Sequence, residues 1–231
     1  MIPKTIHYCW FGKGPKSDLN KRCIDTWRSV LPDYQIKEWN ETNSPLDSSY
    51  ARKALAKGFW SKLSNLVRLQ AVFDEGGIYL DTDVEVRKSF SPLLHHKCFL
   101  GFQVKDEQVD WITNGVMGAQ PGQPFVRRSL ELTQELFART GRFYRAPTIT
   151  TMILKEMGLM AYGTQEVNGV TIYPLEYFYP YSWNDQFSPE CIKENTYSVH
   201  YWEGSWLKTE QRGVLQRTMR KIARTIIPRS R

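Results

Sequence analysis

Two carboxylates stand two residues apart in this chain, Asp81 and Asp83, directly after the apolar run Ile78-Tyr79-Leu80. In an extended backbone, residues i and i+2 project from one face. Both side chains are therefore expected to aim at one point beyond a strand end, where open α/β sheets place their ligands. Two hard oxygen ligands on one face suit Mg²⁺ or Mn²⁺ bridged to phosphate oxygens. Arg68 precedes them, with a planar fork matched to phosphate. A D-x-D pair also arises on plain acidic loops. Hydrolases that work through an aspartyl-phosphate place such a pair after a strand too. There the second Asp is followed by any residue and then Thr or Val, whereas Val84-Glu85 follows here, far from the start of the chain.

The elements that must hold these groups are legible as periodicities. Ile2 to Trp10 reads as a strand ending in aromatics, and Gly12-Lys13-Gly14-Pro15 as a loop. Ser17 or Asp18 caps a helix striped by Leu19, Cys23, Ile24, Trp27 and Val30. Tyr34 to Trp39 follows as a second strand, so strand, helix and strand form an α/β unit with parallel pairing. A helix from Phe59 to Asp74 carries Arg68 and stops at Gly76-Gly77. Further strands are expected at Cys98–Phe102, Val170–Tyr173 and Thr196–His200. Helices are expected at Gln123–Thr140 and Thr148–Met157. Asn114-Gly115 reads as a turn in preference to an acceptor border.

Composition narrows the function classes. The 231 residues suffice to bury a core without disulfide staples. The four cysteines, Cys9, Cys23, Cys98 and Cys191, show neither Cys-x-x-Cys nor Cys/His metal spacing, and are expected as reduced thiols. No apolar run approaches the ~20 residues that cross a bilayer, and no secretory leader opens the chain, so a cytoplasmic protein is expected. The net charge of +7 is confined to Leu207–Arg231, where eight basic residues face one acid. The neutral remainder argues against a nucleic-acid groove. Within the tail, Leu215, Met219, Ile222 and Ile226 share one helical face and Arg217, Arg220, Lys221 and Arg224 the other. That pattern is a basic amphipathic helix suited to an anionic membrane surface, or a helix docked on its own domain.

Five blocks together carry a family resemblance: Ile2 to Gly12; Leu31-Pro32-Asp33-Tyr34 to Asn40; Arg68 through Gly76-Gly77-Ile78-Tyr79-Leu80-Asp81-Thr82-Asp83; Tyr173-Pro174 through Pro180; and His200-Tyr201-Trp202-Glu203-Gly204-Ser205-Trp206. They resemble the DXD-containing glycosyltransferase family 32, which includes capsule and surface-polysaccharide enzymes and the yeast initiating mannosyltransferase. The resemblance covers residues 2–206 and implies a GT-A fold, an α/β architecture with a mostly parallel central sheet flanked by helices. A C-terminal tail, 207–231, follows that domain. The resemblance also implies a retaining transfer of a hexose-type sugar from a nucleotide-sugar donor, UDP-linked in preference to GDP-linked. The acceptor would be a hydroxyl of a polysaccharide or lipid-linked oligosaccharide, with Mn²⁺ or Mg²⁺ as cofactor.

The same resemblance implies roles. Trp10 matches a ring that stacks on the nucleobase, and Arg68 a basic residue that contacts donor phosphate or sugar. Asp81 matches a carboxylate near ribose and donor sugar, and Asp83 the direct metal ligand. His200, Ser205 and Trp206 match a loop that closes over the diphosphate, with His200 a further metal-ligand candidate. The family pattern Ser-Asp-x-x-Arg reads here Ser64-Asn65-Leu66-Val67-Arg68. Asn65 is thus a donor-binding candidate with an amide where the family has a charge, which bears on donor identity. A non-catalytic nucleotide-sugar-binding protein on the same fold is the alternative. Trp10 and Trp206 are also readable as packing rings, His200 as a structural histidine, and Glu85 as a site neighbour or a surface charge.

Overall fold

The computed structural model describes residues 1–204; Ser205, Trp206 and the basic tail lie outside them. The first unit is β1 (Thr5–Cys9), α1 (Asp18–Val30) and β2 (Gln35–Trp39). Ser17 caps α1 in a reciprocal box, its Oγ accepting from Asn20 N while Asn20 Oδ1 accepts from Ser17 N. Cys23, Ile24 and Trp27 are buried as the stripe anticipates. Asn20 joins them where Leu19 was expected, because its capping amide turns inward. Then come α2 (Ser49–Lys57), α3 (Trp60–Glu75), β3 (Gly77–Leu80), β4 (Val84–Val86), β5 (Cys98–Phe102) and β6 (Ile112–Ala119). The remaining elements are α4 (Pro124–Thr140), α5 (Ala146–Glu156), β7 (Gln165–Val167), β8 (Val170–Tyr173), α6 (Leu175–Phe178) and β9 (Ser198–His200).

Seven strands form one sheet in the order β2-β1-β3-β6-β5-β8-β7. Pairings β1–β2, β1–β3 and β5–β8 are parallel, while β6 and β7 run against their neighbours. Five strands therefore share one direction, the mostly parallel α/β sheet expected. Alternate residues feed two cores. Cys9, Tyr79, Leu100 and Met117 join the face covered by α2, α3, α4 and α5. Ile6, Tyr8, Ile78, Leu80, Phe99 and Val116 join the face covered by α1 and the aromatic segment around α6. A separate ribbon, β4 with β9, lies outside this sheet. No helix of the described residues is long and apolar enough to cross a membrane.

Two expectations need correction. Asn114-Gly115 is not a turn; it lies inside β6, a central strand. The Asn-Gly pair mimics a hairpin signal, but glycine serves a different purpose here. A Cβ at Gly115 would fall 2.7 Å from Asp81 Oδ2, so the strand needs a bare residue beside that carboxylate. The pleat argument for Asp81 and Asp83 also fails in detail. The extended backbone ends at Leu80, and residues 81–84 form a turn closed by Val84 N donating to Asp81 O at 3.1 Å.

Gly118 sets a sharp steric condition in the same strand. A Cβ there would lie 2.2 Å from Cε1 of Phe99, a fully buried ring stacked on Phe178. Gly118→Ala is expected to lower stability by about 1–3 kcal/mol through overpacking. Pairing it with Phe99→Leu should give less than the summed loss, as neighbours couple. Urea unfolding of the two single variants and the double variant checks this.

Candidate active site

The carboxylates are delivered by the junction between α3 and β3. Gly76 and Gly77 both have positive φ, 65° and 104°. A Cβ on Gly77 would meet Thr5 O at 2.7 Å and His7 Nε2 at 2.9 Å. Only glycine lets the chain leave α3 and enter β3 in such close contact. The buried strand then ends with Asp81 at its carboxyl end. Asp81 N donates to Gly115 O at 2.8 Å, which ties the start of the turn to β6.

Arg68 reaches this point from α3 and is 6% exposed. Its Nη2 donates to Asp81 Oδ1 at 2.9 Å. Its Nη1 donates to Asn114 O at 3.1 Å and to Asn114 Oδ1 at 3.2 Å. Tyr79 adds a hydroxyl donor to Asp81 Oδ1 at 3.1 Å, and its ring lies 4.4 Å under the guanidinium. Burial opposes the Arg68 charge, but the adjacent Asp81 carboxylate holds its pKa above the ordinary arginine value. Most of the guanidinium fork is spent inward, fixing Asp81 and Asn114. Direct phosphate contact, the role implied by resemblance, falls to the little that remains.

Asp83 belongs to a second cluster, assembled by long-range pairing. The β4–β9 register sets Val84 opposite His200. His200 Nε2 lies 3.0 Å from Asp83 Oδ1. Glu203 N donates to Asp83 Oδ2 at 2.8 Å, and Tyr201 N donates to Asp83 O at 3.0 Å. Trp202 packs tilted against His200 with ring centroids 4.0 Å apart; its φ is 52°, and its Nε1 donates to Tyr181 O at 3.2 Å. Asn20 Nδ2 grips Glu203 Oε2 at 2.9 Å, so the N-terminus of α1 anchors the same segment. The two clusters meet at Gly115. The point 2.7 Å from Asp81 Oδ2 is also 3.4 Å from His200 Cε1.

The sequence candidates thus divide. Arg68 pairs with Asp81 beside Gly115, and Asp83 pairs with His200, whose ring edge also approaches Gly115. Asn65 lies one turn before Arg68 on α3 and lines a small cavity with Asn114. Trp10 sits half-buried after β1, its Nε1 donating to Gly14 O at 2.8 Å and its ring 5.1 Å from Lys16 Nζ. Ser205 and Trp206 lie outside the described residues. Sequence reasoning missed Tyr79 and the Glu203 amide, and read Asn114 as a turn residue; only the strand pairing shows where these point. Glu85 is engaged elsewhere, accepting from Tyr201 Oη and Arg87 Nη1.

The donor set suits a divalent cation in an open site. Among the described residues no group of three or more His, Cys, Asp or Glu side chains is placed to hold a metal ion, so protein ligands would number at most two. Mg²⁺-type sites commonly use one or two carboxylates and leave the rest to water and substrate phosphate. Asp81 and Asp83 keep 25% and 13% side-chain exposure, as such a site requires. His200 Nδ1 is buried without a hydrogen-bond partner, an unmet polar atom on the ring that pairs with Asp83.

For His200, burial lowers the pKa, but the Asp83 carboxylate outweighs it and the net shift is upward. For Asp83, burial raises the pKa, but the His200 charge outweighs it and the net shift is downward. The raised histidine contributes stability fully below its unfolded value near 6.5, and loses it as pH rises through the folded value. The lowered aspartate contributes above its unfolded value near 3.8, and loses it as pH falls through the folded value. With chelator present, the melting-temperature advantage of the parent over His200→Gln should peak between pH 4 and 6.5 and shrink on both sides. A pH-independent difference would contradict the ion pair.

Residues 17–100 match the family model described as the glycosyltransferase sugar-binding region containing the DXD motif. A curated relative, inositol phosphoceramide mannosyltransferase 3 of Schizosaccharomyces pombe, is 29% identical over 166 residues, covering 65% of this chain and 41% of its own. The chain therefore spans about two-fifths of that relative's length. Among solved structures, the PaToxG glycosyltransferase superposes with a TM-score of 0.54 at 20% identity, over 68% of this chain and 70% of its own. The galactosyltransferase LgtC, in complex with donor and acceptor sugar analogues, gives 0.51 at 13% identity, over 90% and 95%. The chain has the GT-A glycosyltransferase fold, and its segment 17–100, with Asp81-Thr82-Asp83 inside it, matches the DXD-bearing sugar-binding region.

Proposed function

We propose that this protein is a metal-dependent, retaining glycosyltransferase that moves a hexose from a nucleotide-sugar donor to an acceptor hydroxyl. The observation that supports the reading is the approach, at Gly115, of the Arg68–Asp81 pair and the His200 ring that holds Asp83. Charge supports it. With His200 protonated against Asp83, the groups Arg68, His200, Asp81 and Asp83 sum to zero, which gives a diphosphate no net attraction. A divalent cation that displaces the His200 proton brings the set to +1 and makes it attractive.

Asp83 and Asp81 would hold the cation, with His200 the third candidate. The bound cation would neutralise charge developing on the departing diphosphate. Arg68 keeps Asp81 oriented and desolvated on its inner side. The strap from His200 to Glu203 holds Asp83 by two donors and shields it from bulk water. No nucleophile suited to a covalent glycosyl intermediate is evident in the sequence. Attack by the acceptor hydroxyl on the face from which the nucleotide leaves, with a leaving phosphate oxygen taking its proton, is the favoured course.

A UDP-sugar is the favoured donor, by resemblance to family 32. GDP-mannose is the second choice, because a relative is named a mannosyltransferase. That relative's name also pairs mannose with a phosphoceramide, which supports a lipid-borne acceptor; a surface polysaccharide is the acceptor that the resemblance to family 32 implies. For the basic tail, 207–231, we propose contact with an anionic membrane surface, each cation near it contributing about 1 kcal/mol. Peripheral attachment on a cytoplasmic face fits a lipid-linked acceptor.

Asp83→Ala is expected to fold, yet to lose Mn²⁺-dependent donor turnover by more than about 100-fold, since several kcal/mol of charge stabilisation would go. Hydrolysis of UDP-hexose and GDP-hexose with and without Mn²⁺ checks this; parental rates in the variant would refute the reading. Deleting 214–231 should abolish sedimentation with anionic vesicles and leave soluble donor hydrolysis intact.

A further inference from the structure

Between α2, α3, α4, α5 and β6 lies a partly open cavity with room for about one water-sized group, lined by Tyr50, Asn65, Asn114, Tyr144 and Thr150 among others. None of its lining side chains carries a charge. Tyr50 is 1% exposed, and its hydroxyl is buried without a hydrogen-bond partner. An unpaired buried hydroxyl costs free energy, and native structures seldom leave one unfilled. The ring cannot swing away to find water. It is wedged edge-on between Phe137, with centroids 5.1 Å apart, and Phe143, at 4.8 Å.

The opposite wall is equally fixed. Asn114 Oδ1 accepts from Arg68 Nη1, which orients the amide and leaves its N–H₂ uncommitted. Ser129 and Thr133 also line the cavity, but their hydroxyls are spent on the carbonyls of Phe125 and Ser129. The cavity therefore offers a phenol that donates or accepts, a fixed amide donor and the Thr150 hydroxyl, in a space for one small neutral group. It shares Asn114 with the Arg68–Asp81 cluster, so what fills it adjoins the proposed reaction centre.

We propose that this cavity seats a single neutral hydroxyl substituent of the donor hexose, and that Tyr50 is a specificity-determining contact for it. The inference rests on the reading of the site as a nucleotide-sugar transferase. It assigns the donor ring a hydroxyl-sized group at the inward position. An acetamido group is too large for that space, and a carboxylate would be buried there without a counter-charge.

The test is calorimetric binding, in Mn²⁺, of UDP, UDP-hexoses, GDP and GDP-mannose to the parent and to Tyr50→Phe, which removes the hydroxyl and keeps the ring. The bare nucleotides should bind the variant as they bind the parent. The nucleotide sugar that binds the parent best should bind about three- to tenfold more weakly, the worth of one neutral hydrogen bond. Thr150→Val is the second variant and should show the same split if Tyr50→Phe does not fold. Equal weakening of nucleotide and nucleotide sugar, or none, overturns the inference and leaves the transferase reading standing. A melting-temperature change alone marks the cavity as an interior water site and also overturns it. If no nucleotide sugar binds the parent more tightly than its bare nucleotide, the functional reading fails and the inference fails with it.

Discussion

The buried pair between Arg68 and Asp81 is the constraint on which the site depends. A guanidinium 6% exposed must have partners, because an isolated buried charge costs several kcal/mol. Arg68 finds them in three places: the carboxylate ending β3, and the backbone and side-chain oxygens of Asn114 in β6. One helix and two antiparallel strands are thereby locked at a single atom group. Asp81 cannot drift without unpairing the arginine, and Asn114 cannot flip its amide. Net stabilisation from such a pair is small against an apolar replacement, but removing one partner is expensive. Its worth lies in position.

Around that anchor, glycine makes the room. Gly115 leaves space beside Asp81 Oδ2, and Gly77 lets β3 pass His7 and the carbonyl of Thr5. The C-terminal strap then supplies what local sequence cannot. The β4–β9 pairing carries His200 to Asp83 across 117 positions, and the amide of Glu203 completes the grip. Two halves of the site thus have different origins. One is a local turn with its own helix behind it. The other exists only once the chain has folded back on itself.

This division explains what was legible in the sequence. The apolar run before Asp81, the paired glycines and the striped helices gave strands and helices close to where they lie. Ser17 marked the start of α1. The sheet's dominant direction followed from strand-helix-strand spacing. The strand β6 was not legible, because Asn114-Gly115 carries turn chemistry and its glycines answer to Asp81 and Phe99, which sit far off in sequence. The pleat expected to align Asp81 with Asp83 is absent, because a turn joins them. The role of Asn114 and the unfilled hydroxyl of Tyr50 depend on tertiary contacts and left no local trace.

The account stands on one claim, that a divalent cation and a nucleoside diphosphate share the point faced by Asp81, Asp83 and His200. Crystals grown with Mn²⁺ and UDP, measured at the manganese edge, test it directly. The account predicts one anomalous peak within coordination distance of an Asp83 carboxylate oxygen and of both phosphates. A peak elsewhere, or UDP bound away from these carboxylates with no metal between, would contradict it.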